Sequence, residues 1–166
     1  MINSAGGEHV KKFLLILGVS VLIIIVYFSI IQINKETSRV YAASSGRNSS
    51  DVQLMARAIN GEARGESYEG QVAVGAVILN RVKHPSFPNT IAGVIYQSGA
   101  FTAVSDGQIN VPISEGSTVY KAAQDALNGW DPTNGCIYYF NPDTATSSWI
   151  WSRQIVKKIG KHNFCK

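Results

Sequence analysis

Residues 52–83 read VQLMARAINGEARGESYEGQVAVGAVILNRVK, and this stretch decides the fold. Val52, Met55, Ile59 and Glu62 fall on one face of an α-helix, because three or four residues separate each from the next. A second helix is predicted over residues 71–83, with Ser67 as its candidate N-cap. Apolar residues cover most of its circumference, which is typical of a helix at the centre of a domain.

The rest of the chain adds shorter elements around these two helices. The first helix is expected to begin at Ser50, a short helix to be capped by Asn89, and another to run from Ser117 to Asn128. Residues 98–112 predict a loop with little regular structure. After the turn at residues 131–135, β-prone runs alternate with turn residues, which predicts two or three antiparallel strands. The candidate strands are residues 136–140, 149–151 and 154–160. Helices first and a small sheet last indicate an α+β domain over residues 50–166.

The N-terminal part has a different composition. After a tail at residues 1–12, residues 13–33 carry no charged side chain. As a helix they would span about 31 Å, close to a bilayer core of about 30 Å, which predicts one transmembrane anchor. A cleaved signal is the alternative, since residues 40–42 would suit a cleavage site. Residues 34–49 are small and polar and predict a linker. A short tail usually stays inside, so the domain is expected on the outer side of the membrane, or secreted if the segment is removed.

Charge and cysteine content limit the function classes. The net charge of +4 is too small for a nucleic-acid-binding protein. The histidines and cysteines show no metal-ligand spacing, so neither a metal nor a cofactor is expected. Cys136 and Cys165 could form a disulfide outside the membrane, but sequence does not show whether they are close enough. Nothing in the sequence indicates the oligomeric state.

Glu62 is the candidate acid. It continues the apolar face of the first helix, and desolvation there would raise the pKa of its carboxyl. A carboxyl that is still protonated near neutral pH can protonate the leaving oxygen of a glycosidic bond. Glu66 lies four residues on, and Gly61 and Gly65 suggest that something approaches the backbone closely. Alternatively, glutamates near a helix end are simply solvated. Glu69, in the first turn of the next helix, is expected to be structural.

Several segments together resemble the catalytic domain of the spore cortex-lytic enzymes, a cell wall hydrolase family of endospore-forming bacteria. The resemblance covers residues 51–166, with motifs ARAINGEARGESYEGQVAVGAVILNRV, FPNTIAGVIYQ, AFTAVSDGQI, DALNGWDP, YYFNPDTATSSWIW and IGKHNFC. It implies a lysozyme-like, mainly helical fold with a small antiparallel sheet. It also implies lytic transglycosylase activity on peptidoglycan, with the first acid of GEARGE, Glu62, as the catalytic residue.

Sugars have apolar faces, so a glycan cleft is expected to combine aromatic rings with polar groups. The candidate glycan-binding residues are Glu66, Gln108, Tyr139, Asn141 and Trp151. His162 is expected to be structural. Family members that act on spore cortex often carry an N-terminal binding module that this stretch lacks, so a vegetative wall is an equal expectation. The alternatives are a muramidase with Glu66 or Asp106 as second carboxylate, an amidase, and a non-catalytic wall-binding protein tethered to the membrane.

Overall fold

The computed structural model describes the backbone of residues 5–166 and the side chains of residues 14, 17–18, 22–39 and 49–166. The chain forms two compact units, Met1–Gly46 and Arg47–Lys166. Helix α1 (Ala5–Ala63) contributes to both. The candidate acid Glu62 and the candidate glycan-binding residues all lie in the second unit.

In the first unit, the apolar side chains of helix α1 are exposed to solvent, from Leu22 (62%) to Ile33 (64%). Within the residues that the structure describes, none of the helices combines the length and the apolar character needed to cross a membrane. The predicted anchor at 13–33 includes positions 13, 15–16 and 19–21, whose side chains lie outside the described set.

Helix α1 also continues through residues 34–49, which the composition predicts to be a linker. Polar side chains are accommodated there because they bond within the helix: the hydroxyl of Thr37 donates to the carbonyl of Ile33 (2.8 Å) and that of Ser38 to Asn34 (2.9 Å). The expectation that Ser50 caps a helix is wrong, since Ser50 lies inside α1.

In the second unit, helix α2 (Tyr68–Lys83) lies at the centre, as its apolar circumference predicts. Ser67 caps it by accepting a hydrogen bond from the amide of Gly70 (3.2 Å), and most residues from Gly70 to Arg81 are buried. Val52, Met55 and Ile59 of α1 are buried in the same core. Both predicted helices of residues 52–83 are therefore confirmed, and their apolar faces form the core.

Three more helices pack around this core. Helix α3 (Ile91–Ile95) is capped by Thr90, not by Asn89, because the Thr90 hydroxyl is the acceptor for the amide of Gly93. Helix α5 (Thr118–Leu127) begins after Ser117 as predicted. Helix α4 (Thr102–Ser105) and a 3-10 turn at Gln108–Asn110 occupy the stretch predicted to be a loop, with Phe101, Ala103 and Ile109 buried.

The sheet has three antiparallel strands in the order β1-β3-β2: β1 (Tyr138–Phe140), β2 (Ile155–Ile159) and β3 (His162–Cys165). Tyr139 pairs with Phe164 of β3, the central strand. The prediction of a strand at 149–151 is wrong, because Ser148–Ser152 forms a 3-10 helix with Trp149 and Trp151 half-exposed. The mainly helical domain with a small antiparallel sheet confirms the α+β prediction.

The two cysteines are buried free thiols, so the disulfide that the sequence left open is not formed in the structure. The thiol of Cys136 points instead to the carbonyl of Thr133, at 3.1 Å. The two side chains also belong to different apolar clusters, Cys136 with Phe164 and Cys165 with Phe140. Each cysteine therefore acts as a small apolar core residue.

Candidate active site

The carboxyl group of Glu62 lies at the C-terminal end of helix α1 and is half-buried. Its Oε1 accepts a hydrogen bond from the backbone amide of Ala103 (2.8 Å), and its Oε2 accepts one from the hydroxyl of Tyr139 (3.1 Å). These donors come from helix α4 and strand β1, so three elements fix the orientation of one carboxyl group. The side chain is held at a defined position rather than moving freely in solvent.

Gly61 makes the contact with Ala103 possible. A Cβ atom added at Gly61 would overlap the Cβ of Ala103 and lie 3.2 Å from the Cβ of Gln108. The predicted close approach is therefore confirmed at Gly61, and the approaching element is the backbone that donates to Glu62. It is wrong at Gly65, where an added Cβ would have no neighbour within 4 Å.

Tyr139 joins the carboxyl group to the sheet. Its ring packs edge-on against His162 (5.2 Å between centroids) and in a tilted arrangement against Phe164 (5.9 Å). Burial raises the pKa of the Tyr139 hydroxyl well above its ordinary value, and the neighbouring charge of Glu62 raises it further. The phenol therefore stays protonated and remains a hydrogen-bond donor to Glu62 over the whole physiological range.

A cavity of about 580 Å³ begins beside Tyr139. Its aromatic wall is formed by Tyr138, Tyr139, Phe140 and Trp149, and its polar wall includes Thr102 and residues 144–147. Glu62 does not itself line this space, but both of its donors connect to it: Tyr139 is part of the wall, and Ala103 follows Thr102. The carboxyl is therefore linked through Tyr139 to a cavity with the aromatic and hydroxyl character expected of a glycan-binding cleft.

Arg81 is a site residue that the sequence analysis missed. It lies in helix α2, is only 8% exposed, lines the cavity, and donates from Nε to the carbonyl of Ile137 (2.7 Å). Burial lowers the pKa of its guanidinium, and Tyr139, Tyr138 and Glu62 oppose that shift. The available signal was one arginine within a helix predicted to be apolar on nearly all sides.

The other predicted glycan-binding residues mostly bond to the protein. Glu66 accepts a hydrogen bond from the amide of Lys161 (3.0 Å) at the β2–β3 turn, and Gln108 accepts one from Arg64 (2.9 Å). Asn141 accepts one from the amide of Asp143 (3.0 Å). Trp151 is 50% exposed and packs on Phe140, with 4.9 Å between ring centroids. Tyr139 is thus the one member of this set that contacts Glu62 directly.

His162 packs behind Tyr139 and is 8% exposed. Its Nδ1 is buried and has no hydrogen-bond partner among the described residues. Burial lowers the pKa of its imidazole, while the charges of Glu66 and Glu62 act in the opposite direction. The imidazole ring therefore supports Tyr139 through their edge-on contact. Over the described part of the chain, no three His, Cys, Asp or Glu side chains form a cluster that could hold a metal ion.

Comparison with known proteins gives a consistent result. A family described as Cell Wall Hydrolase matches residues 65–165. The spore cortex-lytic enzyme of Bacillus cereus is 63% identical over 122 residues, 74% of this chain and 46% of that protein. That of Bacillus subtilis is 59% identical over 121 residues, 73% of this chain and 39% of that protein. The chain therefore spans less than half the length of these curated relatives. The cell wall hydrolase CwlJ of Bacillus subtilis is 31% identical over 123 residues and is matched over 84% of its length.

Two solved structures have a similar fold. The catalytic domain of the Bacillus cereus SleB protein has a TM-score of 0.66 and 66% identity, over 70% of this chain and 89% of that one. The catalytic domain of the germination-specific lytic transglycosylase SleB from Bacillus anthracis has a TM-score of 0.67 and 65% identity, over 70% of this chain and 93% of that one. The predicted family resemblance is confirmed by both kinds of comparison.

Proposed function

The chain belongs to the cell wall hydrolase family, and we propose that it cuts the glycan strands of peptidoglycan as a lytic transglycosylase with Glu62 as its only acid and base. The observation that carries this proposal is the fixed Glu62 carboxyl, which accepts hydrogen bonds from Ala103 and from Tyr139, a residue of the aromatic-walled cavity. The lytic transglycosylase named among the similar structures supports the reaction type.

In the proposed reaction, the protonated carboxyl of Glu62 gives its proton to the oxygen between N-acetylmuramic acid and N-acetylglucosamine, and the C1–O bond breaks. The resulting carboxylate takes the proton of the muramic 6-hydroxyl, whose oxygen forms the new bond to C1. The products are an anhydromuramic end and a free N-acetylglucosamine hydroxyl. No water is consumed, and Glu62 ends in its starting protonation state. Hydrogen bonds from Ala103 and Tyr139 stabilise the carboxylate midway through the cycle.

The surroundings of Glu62 favour this reaction over hydrolysis by a muramidase. A hydrolase that inverts the sugar needs a second carboxylate about 6.5–9.5 Å away, free to activate water. Glu66 is bonded to the amide of Lys161, and Asp106 is bonded to the amide of Gln108 (3.0 Å) within its own turn. Both candidates for a second carboxylate therefore accept hydrogen bonds from backbone amides. The same bonds support positioning roles for Glu66 and Gln108 around the cleft.

For glycan binding we propose that Tyr139 and the exposed ring of Trp151 contact sugar faces, and that Asn141 shapes the rim through its turn. Trp151 and Trp149 are half-exposed, which leaves ring surface for a ligand. Exposed aromatic rings on a short 3-10 helix next to the cavity suit a strand-like polysaccharide. Tyr139→Ala and Trp151→Ala are expected to weaken binding to glycan.

We further propose that residues 13–33 anchor the protein in the cell membrane and that residues 50–166 act on the outer side, on the vegetative wall or the spore cortex. The uncharged sequence of 13–33 and the exposed apolar side chains of 22–33 support an anchor. If the segment is instead a cleaved signal, the domain is secreted. Detection of the domain by protease treatment of intact cells tests this arrangement, and complete protection contradicts it.

Digestion of purified walls tests the proposed reaction. Mass spectrometry of the released fragments should show anhydromuramic ends. Reducing muramic ends would indicate a muramidase, free stem peptides an amidase, and no fragments a wall-binding protein. Each of these three outcomes rejects the transglycosylase.

A further inference from the structure

Arg81 is the one charged residue on the wall of the cavity beside Tyr139, within the part of the chain that the structure describes. No aspartate or glutamate of that part lines this cavity. The aromatic and hydroxyl groups of the wall are neutral, so Arg81 supplies the charge that the described lining residues present to a ligand. This property is separate from the chemistry assigned to Glu62.

The side chain of Arg81 is largely buried and forms no ion pair with any described carboxylate. The side chain is 8% exposed, and its recorded hydrogen bond is from Nε to the carbonyl of Ile137. Among the described residues, neither Nη atom has a hydrogen-bond partner and no carboxylate forms an ion pair with Arg81. The Nη groups of Arg81 are therefore available to bind an anion that enters the cavity.

Glu62 acts on Arg81 through its charge, which opposes the lowering of the Arg81 pKa, but it does not occupy the guanidinium. Its two carboxyl oxygens accept from Ala103 and Tyr139, and the described residues show no ion pair between Glu62 and Arg81. Among the described residues, no carboxylate therefore occupies the Nη groups of Arg81.

The guanidinium is held in a fixed orientation by aromatic rings. Its carbon lies 5.3 Å from the ring centres of Phe87 and Phe101 and 5.8 Å from that of Tyr138. Arg153 lies 5.1 Å from the same Tyr138 ring and adds a second positive charge at the rim. A planar, oriented guanidinium with free Nη groups matches the fork geometry of a carboxylate.

We propose that Arg81 binds a carboxylate carried by the glycan strand, so that the cavity selects muramic-acid-containing strands over uncharged ones. This inference rests on the proposed function and names the substrate group read by the site. The carboxylate comes either from the lactyl group of muramic acid or from the stem peptide, and both offer the same chemistry. A chitin-like strand of N-acetylglucosamine has no such group.

Binding to chemically modified strands tests this proposal. The full-length protein with Glu62→Gln serves as parent, so that binding is measured without cleavage. Its Kd is determined for soluble wall strands with native carboxylates and for the same strands after carbodiimide amidation with ammonia. The parent should bind amidated strands about 10-fold more weakly, because a charge-assisted contact is lost. With Arg81→Gln added to the parent, native and amidated strands should bind equally weakly. The control is Lys158→Gln, which removes an exposed charge from β2 and should keep the parent's ratio of the Kd for amidated strands to the Kd for native strands.

Three outcomes overturn the proposal. The parent can bind native and amidated strands with the same Kd, the Arg81→Gln protein can keep the parent's ratio of the two Kd values, or the Lys158→Gln protein can lose that ratio. The first and third need no change at Arg81, so they decide even if Arg81→Gln does not fold. Strands stripped of stem peptides identify the source: retained sensitivity to amidation indicates the lactyl carboxylate, and lost sensitivity the stem peptide. Any cleavage of strands by the parent would count against the role of Glu62 and not against that of Arg81.

Discussion

Tyr139 donates its hydroxyl proton to Oε2 of Glu62 across 3.1 Å, although the two residues are 77 positions apart in the chain. This bond joins the end of helix α1 to strand β1, so the carboxyl is positioned only when the small sheet has docked on the helices. The burial that raises the pKa of Tyr139 keeps the donor protonated. Stability of the sheet and placement of the acid are therefore coupled.

Tyr139→Phe should lower the rate of wall cleavage by about 10- to 100-fold, because a hydrogen bond to a charged group is lost while the ring remains. The change is measured as kcat on purified walls. Tyr138→Phe is the matched control, since the neighbouring ring lies in the same cavity and no bond from its hydroxyl to Glu62 is present. Equal losses in both variants would contradict the role of the Tyr139 hydroxyl.

Gly61→Ala should reduce both stability and activity, because the new Cβ would overlap Ala103, whose amide bonds to Glu62. Overpacking of this kind costs about 1–3 kcal/mol, against a helix-propensity gain of about 1 kcal/mol. Gly65→Ala is the control, with open space at its Cβ and an expected change within about 0.5 kcal/mol. Chemical denaturation and wall-clearing rates measure the two effects. Unchanged activity in Gly61→Ala would show that the Ala103 contact is dispensable.

Glu66→Ala should destabilise the domain by about 1–2 kcal/mol, because the amide of Lys161 at the β2–β3 turn loses its acceptor. Glu69→Gln removes only an exposed pair with Lys157 and should cost less than about 1 kcal/mol. Thermal unfolding of both proteins gives the comparison. If Glu66 is only a positioning residue, the KM of Glu66→Ala for wall strands stays near that of the unchanged protein; a selective rise in KM with normal stability would assign Glu66 to glycan binding instead.

Acid should destabilise the domain partly through His162. Its pKa is lowered by burial from the ordinary 6.5, so below that pH the unfolded chain binds more protons than the folded one. Protonation of His162 therefore leaves the free energy of unfolding unchanged above pH 6.5. It lowers that free energy as the pH drops from 6.5 towards the folded-state pKa, by up to about 1.4 kcal/mol per pH unit. Denaturation of the unchanged protein and of His162→Gln at several pH values should show a smaller pH dependence in the variant. Parallel curves would contradict the buried neutral histidine.

The sequence predicts the parts of this domain that depend on local patterns. The apolar face from Val52 to Glu62, the buried helix α2 and its cap at Ser67 follow from periodicity and capping rules, and the structure has all three. The strand at 149–151 fails, because alternating tryptophans predict β-structure locally while a 3-10 helix with half-exposed rings is formed. Composition alone also does not reveal that residues 34–49 continue helix α1.

The site is predicted less completely, because its contacts join distant residues. Glu62 and Tyr139 can each be recognised in the sequence. The hydrogen bond between them and the bond from the amide of Ala103 to Glu62 cannot. For Glu66 the sequence predicts glycan binding, which stays a prediction, but it does not reveal the hydrogen bond from the amide of Lys161. The sequence does not predict a binding role for Arg81. That role depends on the aromatic rings that pack around its guanidinium and on the lack of a carboxylate among the described residues that line the cavity.

Release of anhydromuropeptides from purified walls by Glu62→Gln protein tests the central claim most directly, with Glu69→Gln as a matched acid-to-amide control. The glutamine keeps the shape of the side chain but cannot carry the proton, so product formation should fall at least about 1000-fold while Glu69→Gln stays near the unchanged rate. Both proteins should unfold at the temperature of the unchanged domain within a few degrees. Anhydro products formed by folded Glu62→Gln at an undiminished rate would contradict the account.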